Sequence, residues 1–320
     1  MSKQDEADQH AHRNVELITI NSNAEAQRVD NFLITHWKGV PKSRIYRLIR
    51  KGEIRLNKKR IKPETRLHVG DLLRLPPIRM ADPVVLERPG PGLQSLLRES
   101  IIFENDDLLV INKPQGVAVH AGSGQRTGII EALRWMRMEE EGADVFLELA
   151  HRIDKDTSGC LVICKNALTL KHVQEALKSR QVSKVYLALV HGHWPRALEE
   201  IDAPLQKTIV SDDEKVVKVS KDGKPARTLF KVLKQFDNAT LVEARPLSGR
   251  MHQIRVHCQY AGHPIIGDSK YTLSEFHNSA ESRRLCLHAA SITLELPHGK
   301  GNVTVNAPVN PRMDAIMRDL

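Results

Sequence analysis

The stretch His151-Arg152-Ile153-Asp154-Lys155-Asp156-Thr157-Ser158-Gly159 sets a guanidinium and a carboxylate two residues apart, directly before the apolar run Cys160-Leu161-Val162-Ile163-Cys164. On extended chain such residues point to the same side. Arg152 and Asp154 are therefore expected to face one cleft, while Thr157-Ser158-Gly159 turns the chain into a buried strand. A charged turn at the mouth of a core strand is where a rigid scaffold holds catalytic groups. An ionised carboxylate there can attack, steady positive character or remove a proton. On spacing alone, the simpler account is a surface turn with a solvated ion pair. Two other stretches carry suitable side chains. Val182 to Val190 alternates as a strand and bears Lys184 and Tyr186. Ser248 is expected to start a helix running to Gly262, with Ile254, Cys258 and Ala261 as its apolar stripe and Arg255 on an adjoining face. By spacing, Arg255 reads as half of a structural ion pair.

The elements that must position these groups follow from the chain's changes of texture. Residues 1–23 are polar and expected to be a disordered tail. Residues 24–75 form a small module. Val29, Phe32, Leu33 and Trp37 recur at helical spacing. Ser43 is a fitting N-cap for a second helix with Ile45, Leu48 and Ile49 as its stripe, and Gly52 ends it. Short strands follow, with a turn at Asn57-Lys58-Lys59. Residues 76–98 are rich in Pro and Gly and read as an extended linker. Residues 99–320 have an α+β texture. Leu108 to Ile111 is a strand that ends at Asn112-Lys113-Pro114-Gln115-Gly116, Thr127 is a candidate helix cap, and Leu168 to Ser179 is helical. Leu285 to Leu296 and Val303 to Pro308 are further strands. The loop Gly122-Ser123-Gly124 lacks the Gly-Lys-Ser/Thr of a phosphate-binding loop.

Composition narrows the class. The 320 residues are 41% hydrophobic and 27% charged, with apolar runs too short to span a membrane. No secretory leader is visible, and the four cysteines form no Cys-x-x-Cys pair. The expectation is a cytoplasmic protein with reduced core cysteines and no metal. The net charge of +9 is local. Between Pro41 and Lys62 there are ten Lys or Arg against one acid, Glu53, so the rest of the chain sums to zero. A patch of nearly unmixed sign suits a phosphate backbone. Its members are Lys42, Arg44, Arg47, Arg50, Lys51, Arg55, Lys58, Lys59 and Arg60, followed by Lys62.

The module resembles the small RNA-binding domain of ribosomal protein S4, through Val40-Pro41-Lys42-Ser43-Arg44 and Lys51-Gly52-Glu53-Ile54-Arg55-Leu56-Asn57. The larger region resembles the RluA-type pseudouridine synthases. Lys113 to His120 resembles their first motif, and His151-Arg152-Ile153-Asp154 with Thr157-Ser158-Gly159 the second, catalytic one. Lys184 to Val190 is similar to the tyrosine motif, and Gly249 to His257 to the third. Ile153 stands where Leu is commoner in the family, and Met251 where Ser or Thr is commoner. The resemblance implies a mixed, mainly antiparallel sheet with helices packed on it and a central cleft. It also implies isomerisation of uridines in large-subunit ribosomal RNA to pseudouridine. The base is detached, rotated and rejoined through carbon 5, without ATP, metal or organic cofactor. The protein is expected to act as a monomer.

The same resemblance assigns roles. Asp154 is the catalytic carboxylate, and attack on the sugar, attack on the base and proton removal to a glycal all stay open. Arg255 would keep Asp154 ionised. Tyr186 would stack on the uracil and move a proton late. Arg152 would fill the place of a flipped base or hold a phosphate. Lys113, His120, His252 and His257 receive no chemistry, since such histidines more often order a loop or pack in a core. Two rival functions compete with this one. A kinase fails for want of a Gly-rich loop before a strand lysine and of an Asp-Phe-Gly. A non-catalytic RNA-binding or ribosome-assembly factor has no need to keep Asp154, Tyr186 and Arg255 together.

Overall fold

The computed structural model describes residues 15–37, 40, 42–77, 87–121, 127–142, 145–209, 215–273, 276 and 284–320. Tail residues 1–14, linker residues 78–86, Gly39, Pro41 and the loop Gly122-Ser123-Gly124 lie outside the described residues. The chain divides into two compact units, Met1–Leu86 and Glu87–Leu320.

In the first unit, β1 (Glu16–Thr19) precedes a 3-10 turn at Ser22–Ala24, α1 (Val29–His36) and α2 (Lys42–Lys51). Strands β2 (Arg55–Leu56), β3 (Lys59–Arg60) and β4 (Leu72–Leu75) complete a four-stranded antiparallel sheet of order β1-β4-β2-β3. The helices and sheet share one core, in which Val29, Leu33, Trp37, Ile45, Ile54, Leu67 and Leu73 are fully or almost fully buried. Two expectations are corrected here. Residues 16–19 are not tail but an edge strand paired with Leu72–Leu75, because Ile18 packs against that core. Ser43 lies inside α2 rather than capping it, since the helix already begins at Lys42.

The second unit opens with α3 (Pro91–Glu99), so this part of the expected linker is helical. Pro91 at the first turn has a φ suited to helix initiation, and Leu97 anchors the segment by burial. There follow β5 (Ile101–Glu104), β6 (Leu108–Lys113), α4 (Ile129–Glu141), β7 (Glu148–Leu149), β8 (Ser158–Cys164), α5 (Ala167–Lys178) and β9 (Ser183–His191). Next come β10 (Glu200–Asp202), β11 (Leu205–Ile209), β12 (Lys215–Val219), β13 (Arg227–Gln235), β14 (Ala239–Pro246) and α6 (Gln253–Tyr260). The chain closes with β15 (Leu287–Glu295), β16 (Asn302–Asn306) and α7 (Pro311–Asp319). Gly128, not Thr127, is the N-cap of α4, its N–H donating to Glu131 at 3.0 Å.

The main sheet has ten strands, with the path β10-β13-β14-β9-β15-β8-β6-β5 and with β16 and β7 attached to β15 and β8. All its pairings are antiparallel but one. The exception is a two-residue parallel contact, His288 with Ser158 and Ala289 with Gly159. That short seam joins two half-sheets, β5-β6-β8 on one side and β15-β9-β14-β13-β10 on the other. Gly159 is required there. Its φ is +105°, and a Cβ would meet the Ala289 carbonyl oxygen at 2.2 Å. A Ser158 Oγ to His288 Nδ1 hydrogen bond of 2.9 Å stitches the same spot. Two hydrophobic cores meet at the seam, and Tyr186 packs against both.

Candidate active site

The stretch 151–157 is not extended strand but a tight loop feeding β8 at the seam. The Thr157 N–H closes a turn onto the Asp154 carbonyl at 3.1 Å. The loop is held from several directions. His151 Nε2 accepts the Val162 N–H at 3.2 Å, which requires a neutral ring, and burial pulls its pKa down to about 4. The Gly116 N–H donates to the Lys155 carbonyl at 2.9 Å. Gln115 donates to the carbonyls of Asp156 and Leu285 at 2.8 and 2.6 Å.

Lys113 is the firmest clamp. Its side chain is fully buried, and Nζ donates to the carbonyls of Pro114, Val117 and Lys155 at 2.8, 2.9 and 2.7 Å. Burial draws its pKa down to about 7. The three carbonyls oppose that pull, since a neutral amine has only two N–H donors for three acceptors. The lysine therefore orders the loop and does not face a substrate.

Arg255 comes from the other half-sheet, on α6. This helix starts at Gln253, five residues later than the expected Ser248. Gln253 Oε1 accepts from the Ser248 hydroxyl and the Arg250 N–H at 2.7 and 3.1 Å, so local side-chain bonds replace helical ones over 248–252. Gln253 Nε2 also donates to the Arg227 carbonyl and Thr228 Oγ1, each at 2.9 Å. His257 docks the next turn. Thr228 Oγ1 donates to its Nδ1 at 2.9 Å, and its Nε2 donates to the Ala203 carbonyl at 3.1 Å. His257 thus packs in the core, as a motif histidine was expected to.

Asp154 and Arg255 meet across 101 residues of sequence. Nη1 lies 3.2 Å from Asp154 Oδ2. The guanidinium also makes a two-pronged pair with Asp268, Nε to Oδ2 and Nη2 to Oδ1, both at 2.8 Å. The Asp268 side chain is 0% exposed, that of Arg255 10% and that of Asp154 28%. Burial opposes the charge on Arg255, but Asp268 and then Asp154 hold its pKa above the ordinary value. The Tyr271 ring lies 5.0 Å from the guanidinium carbon.

His252 caps α6 in the left-handed region, at φ +54°. Its Nε2 is 3.8 Å from Asp154 Oδ2, and its Nδ1 is 2.6 Å from the Tyr271 hydroxyl, which accepts the Val217 N–H at 3.0 Å. Burial lowers the His252 pKa, against the pull of Asp154. Burial, and next the charge of Asp154, raises the pKa of Tyr186, so its phenol stays protonated. Arg152 lies on the same loop. Its side chain is exposed, with no ion-pair partner among the described residues, and the structure does not pair it with Asp154. The sequence pattern does not mark Asp268, His252 or Tyr271 for chemistry. A lone Asp in a loop has no period, and the only local sign is Gly267-Asp268, a turn-forming pair.

In the first unit, Lys42, Arg47, Arg50 and Lys51 project from α2, Arg55 lies on β2, Lys58 at the hairpin turn and Lys59 and Arg60 on β3. All are exposed except Arg44, which is half-buried. Asn57 and Lys58 both have positive φ, the conformation of a two-residue hairpin turn. Arg60 lies over Gly52, where a Cβ would come within 2.7 Å of its Nε, so hairpin and helix end form one basic surface. The one acid, Glu53, pairs among the described residues with Lys51, at 3.9 Å.

Among the described residues no group of three or more His, Cys, Asp or Glu side chains could hold a metal ion, and no helix is long and apolar enough to cross a membrane. Residues 107–260 match the RNA pseudouridylate synthase family, and residues 27–73 match the S4 domain. The chain is 45% identical over 328 residues to the ribosomal large subunit pseudouridine synthase C of Haemophilus influenzae, spanning 100% of this chain and 99% of the relative. It is 46% identical to the Escherichia coli K12 protein of the same name, over 96% of this chain and 97% of that one. The solved human RNA pseudouridylate synthase domain containing 4 is similar, with 27% identity and a TM-score of 0.57. That likeness covers 71% of this chain and 96% of the human one.

Proposed function

The chain belongs to the RNA pseudouridylate synthase family, and on that premise we propose that it isomerises specific uridines of large-subunit ribosomal RNA to pseudouridine, with Asp154 as the catalytic carboxylate. The observation that carries this reading is the meeting of Asp154 with Arg255 across the seam, one carboxylate oxygen bound to the guanidinium while the side chain keeps 28% of its surface open. A carboxylate buried and fully paired could not reach a substrate, and one fully solvated would be a weak reagent.

The N1–C1′ bond of uridine breaks, the uracil rotates, and carbon 5 bonds to C1′. Carbon 5 loses a proton and N1 gains one, so nothing is oxidised. Asp154 acts on the sugar, acts on the base, or takes a proton. Arg255 keeps it anionic. Tyr186, a protonated phenol, stacks on the base and moves a proton late. A uridine within a helix must first be flipped out, and Arg152, exposed on the Asp154 loop, takes its place in the stack or holds a phosphate. The clamp by Lys113, Gln115 and Gly116 preorganises the loop, so binding energy is not spent on ordering it. The basic surface of α2 and the β2–β3 hairpin contacts RNA phosphates. The protein acts in the cytoplasm, a reading supported by its four buried cysteines, and it acts as a monomer. Tritium release from RNA labelled at carbon 5 of uracil tests the reaction: catalysis releases the label and binding alone does not. Mapping pseudouridines in ribosomal RNA with and without the protein identifies the target.

A further inference from the structure

The Arg255 guanidinium is held more firmly on the side away from Asp154 than on the side facing it. Asp268 takes two N–H donors at 2.8 Å, whereas Asp154 takes one at 3.2 Å. Asp268 is itself fixed, because its Oδ1 also accepts the N–H groups of Lys270 and Tyr271 at 3.0 and 3.1 Å. The same turn brings the Tyr271 ring against the guanidinium. With two donors engaged in a planar fork, the guanidinium cannot swing to close a second bond on Asp154. Two carboxylates also share one cation, so the three groups together carry a net negative charge.

We propose that Asp268 is a positioning residue for the isomerisation. It fixes Arg255 so that Nη1 alone meets Asp154, and its charge prevents Arg255 from fully neutralising the catalytic carboxylate. This rests on Asp154 being that carboxylate. A merely structural Asp268–Arg255 pair would hold α6 to the 268–271 turn and leave the reactivity of Asp154 unaltered.

The pH profile separates the two. The titratable or charged groups around Asp154 are Arg255 and His252 at α6, Lys113 at the end of β6, Tyr186 on β9, and Arg152, Lys155 and Asp156 on its own loop, with Asp268, Lys270 and Tyr271 behind Arg255. Asp268→Asn keeps the acceptor for the turn but sets an amide N–H against the Arg255 Nε–H. With the second carboxylate gone, Asp154 ionises more readily and is a weaker base. The acidic limb of the kcat profile should move to lower pH, and kcat should fall about 100-fold with KM for RNA little changed. Asp268→Glu restores the charge one methylene away, so its acidic limb should stay at the wild-type position while kcat remains reduced. An unreduced kcat or an unmoved acidic limb in Asp268→Asn would overturn the proposal. Should that variant fail to fold by circular dichroism, a folded Asp268→Glu with wild-type kcat overturns it alone. No tritium release by the wild-type protein would instead defeat the proposed function itself, so the two failures are distinguishable.

Discussion

Charge is used in opposite ways in the two units. Around Asp154, opposite charges are paired, largely withdrawn from water and fixed by hydrogen bonds. On α2 and the β2–β3 hairpin, like charges stand exposed, and among the described residues nearly all lack an ion-pair partner. Withdrawn charges interact strongly because little water screens them, but each needs a partner or it destabilises the fold. Exposed charges interact weakly with one another and serve a large polyanion by displacing its counterions. The first arrangement suits chemistry on one bond. The second suits holding a polymer without reading its bases.

That contrast can be broken experimentally. The largest effect is expected from Asp154→Asn, which should lower tritium release by about 10⁴-fold or more and leave RNA affinity near wild type. Measurable recovery of activity would remove the carboxylate from the mechanism. Next is Arg255→Ala. It strands the fully buried Asp268, rather than the partly exposed Asp154, and should cost about 3–5 kcal/mol in urea unfolding as well as activity. Wild-type stability would mean that the withdrawn charges are not interdependent.

A pH effect of intermediate size should come from His151. Its folded pKa of about 4 lies below the unfolded value of about 6.5. As pH falls, the unfolded chain takes up the proton first, so stability is full above about 6.5 and is lost as pH falls toward 4. Unfolding free energy should drop by about 2 kcal/mol from about pH 7 to about pH 5. His151→Gln, which can still accept the Val162 N–H, should lack this component. An identical pH dependence in the two proteins would show that the ring is not held neutral.

The smallest effect per residue belongs to the exposed charges. Neutralising Arg47, Arg50, Lys58 and Arg60 together should weaken RNA binding. It should also flatten the slope of log K against log salt by roughly 0.7 for each phosphate that is no longer neutralised, while kcat at saturating RNA stays near wild type. An unchanged slope would move the RNA-binding surface elsewhere.

The sequence by itself determined much of this protein. Local patterns announce local structure, so the strands around Leu108, Cys160 and Tyr186, the helix after Leu168 and the basic helix and hairpin were all readable from periodicity and turn residues. Asp154 and Arg255 stood out because they sit in stretches of recognisable order. Asp268 has no such neighbourhood, and α6 is shorter than the pattern over 248–262 predicts because the capture of Ser248 by Gln253 leaves no mark in the sequence. Only the tertiary structure decided which charges are withdrawn from water and which partner each one has. Gly159 passing flush against Ala289 brings residues 130 apart into contact, and the two-residue seam it permits sets the Asp154 loop against α6. Burial and pairing at that junction depend on the whole sheet closing. They are sums over distant contacts, and no single stretch of chain contains them.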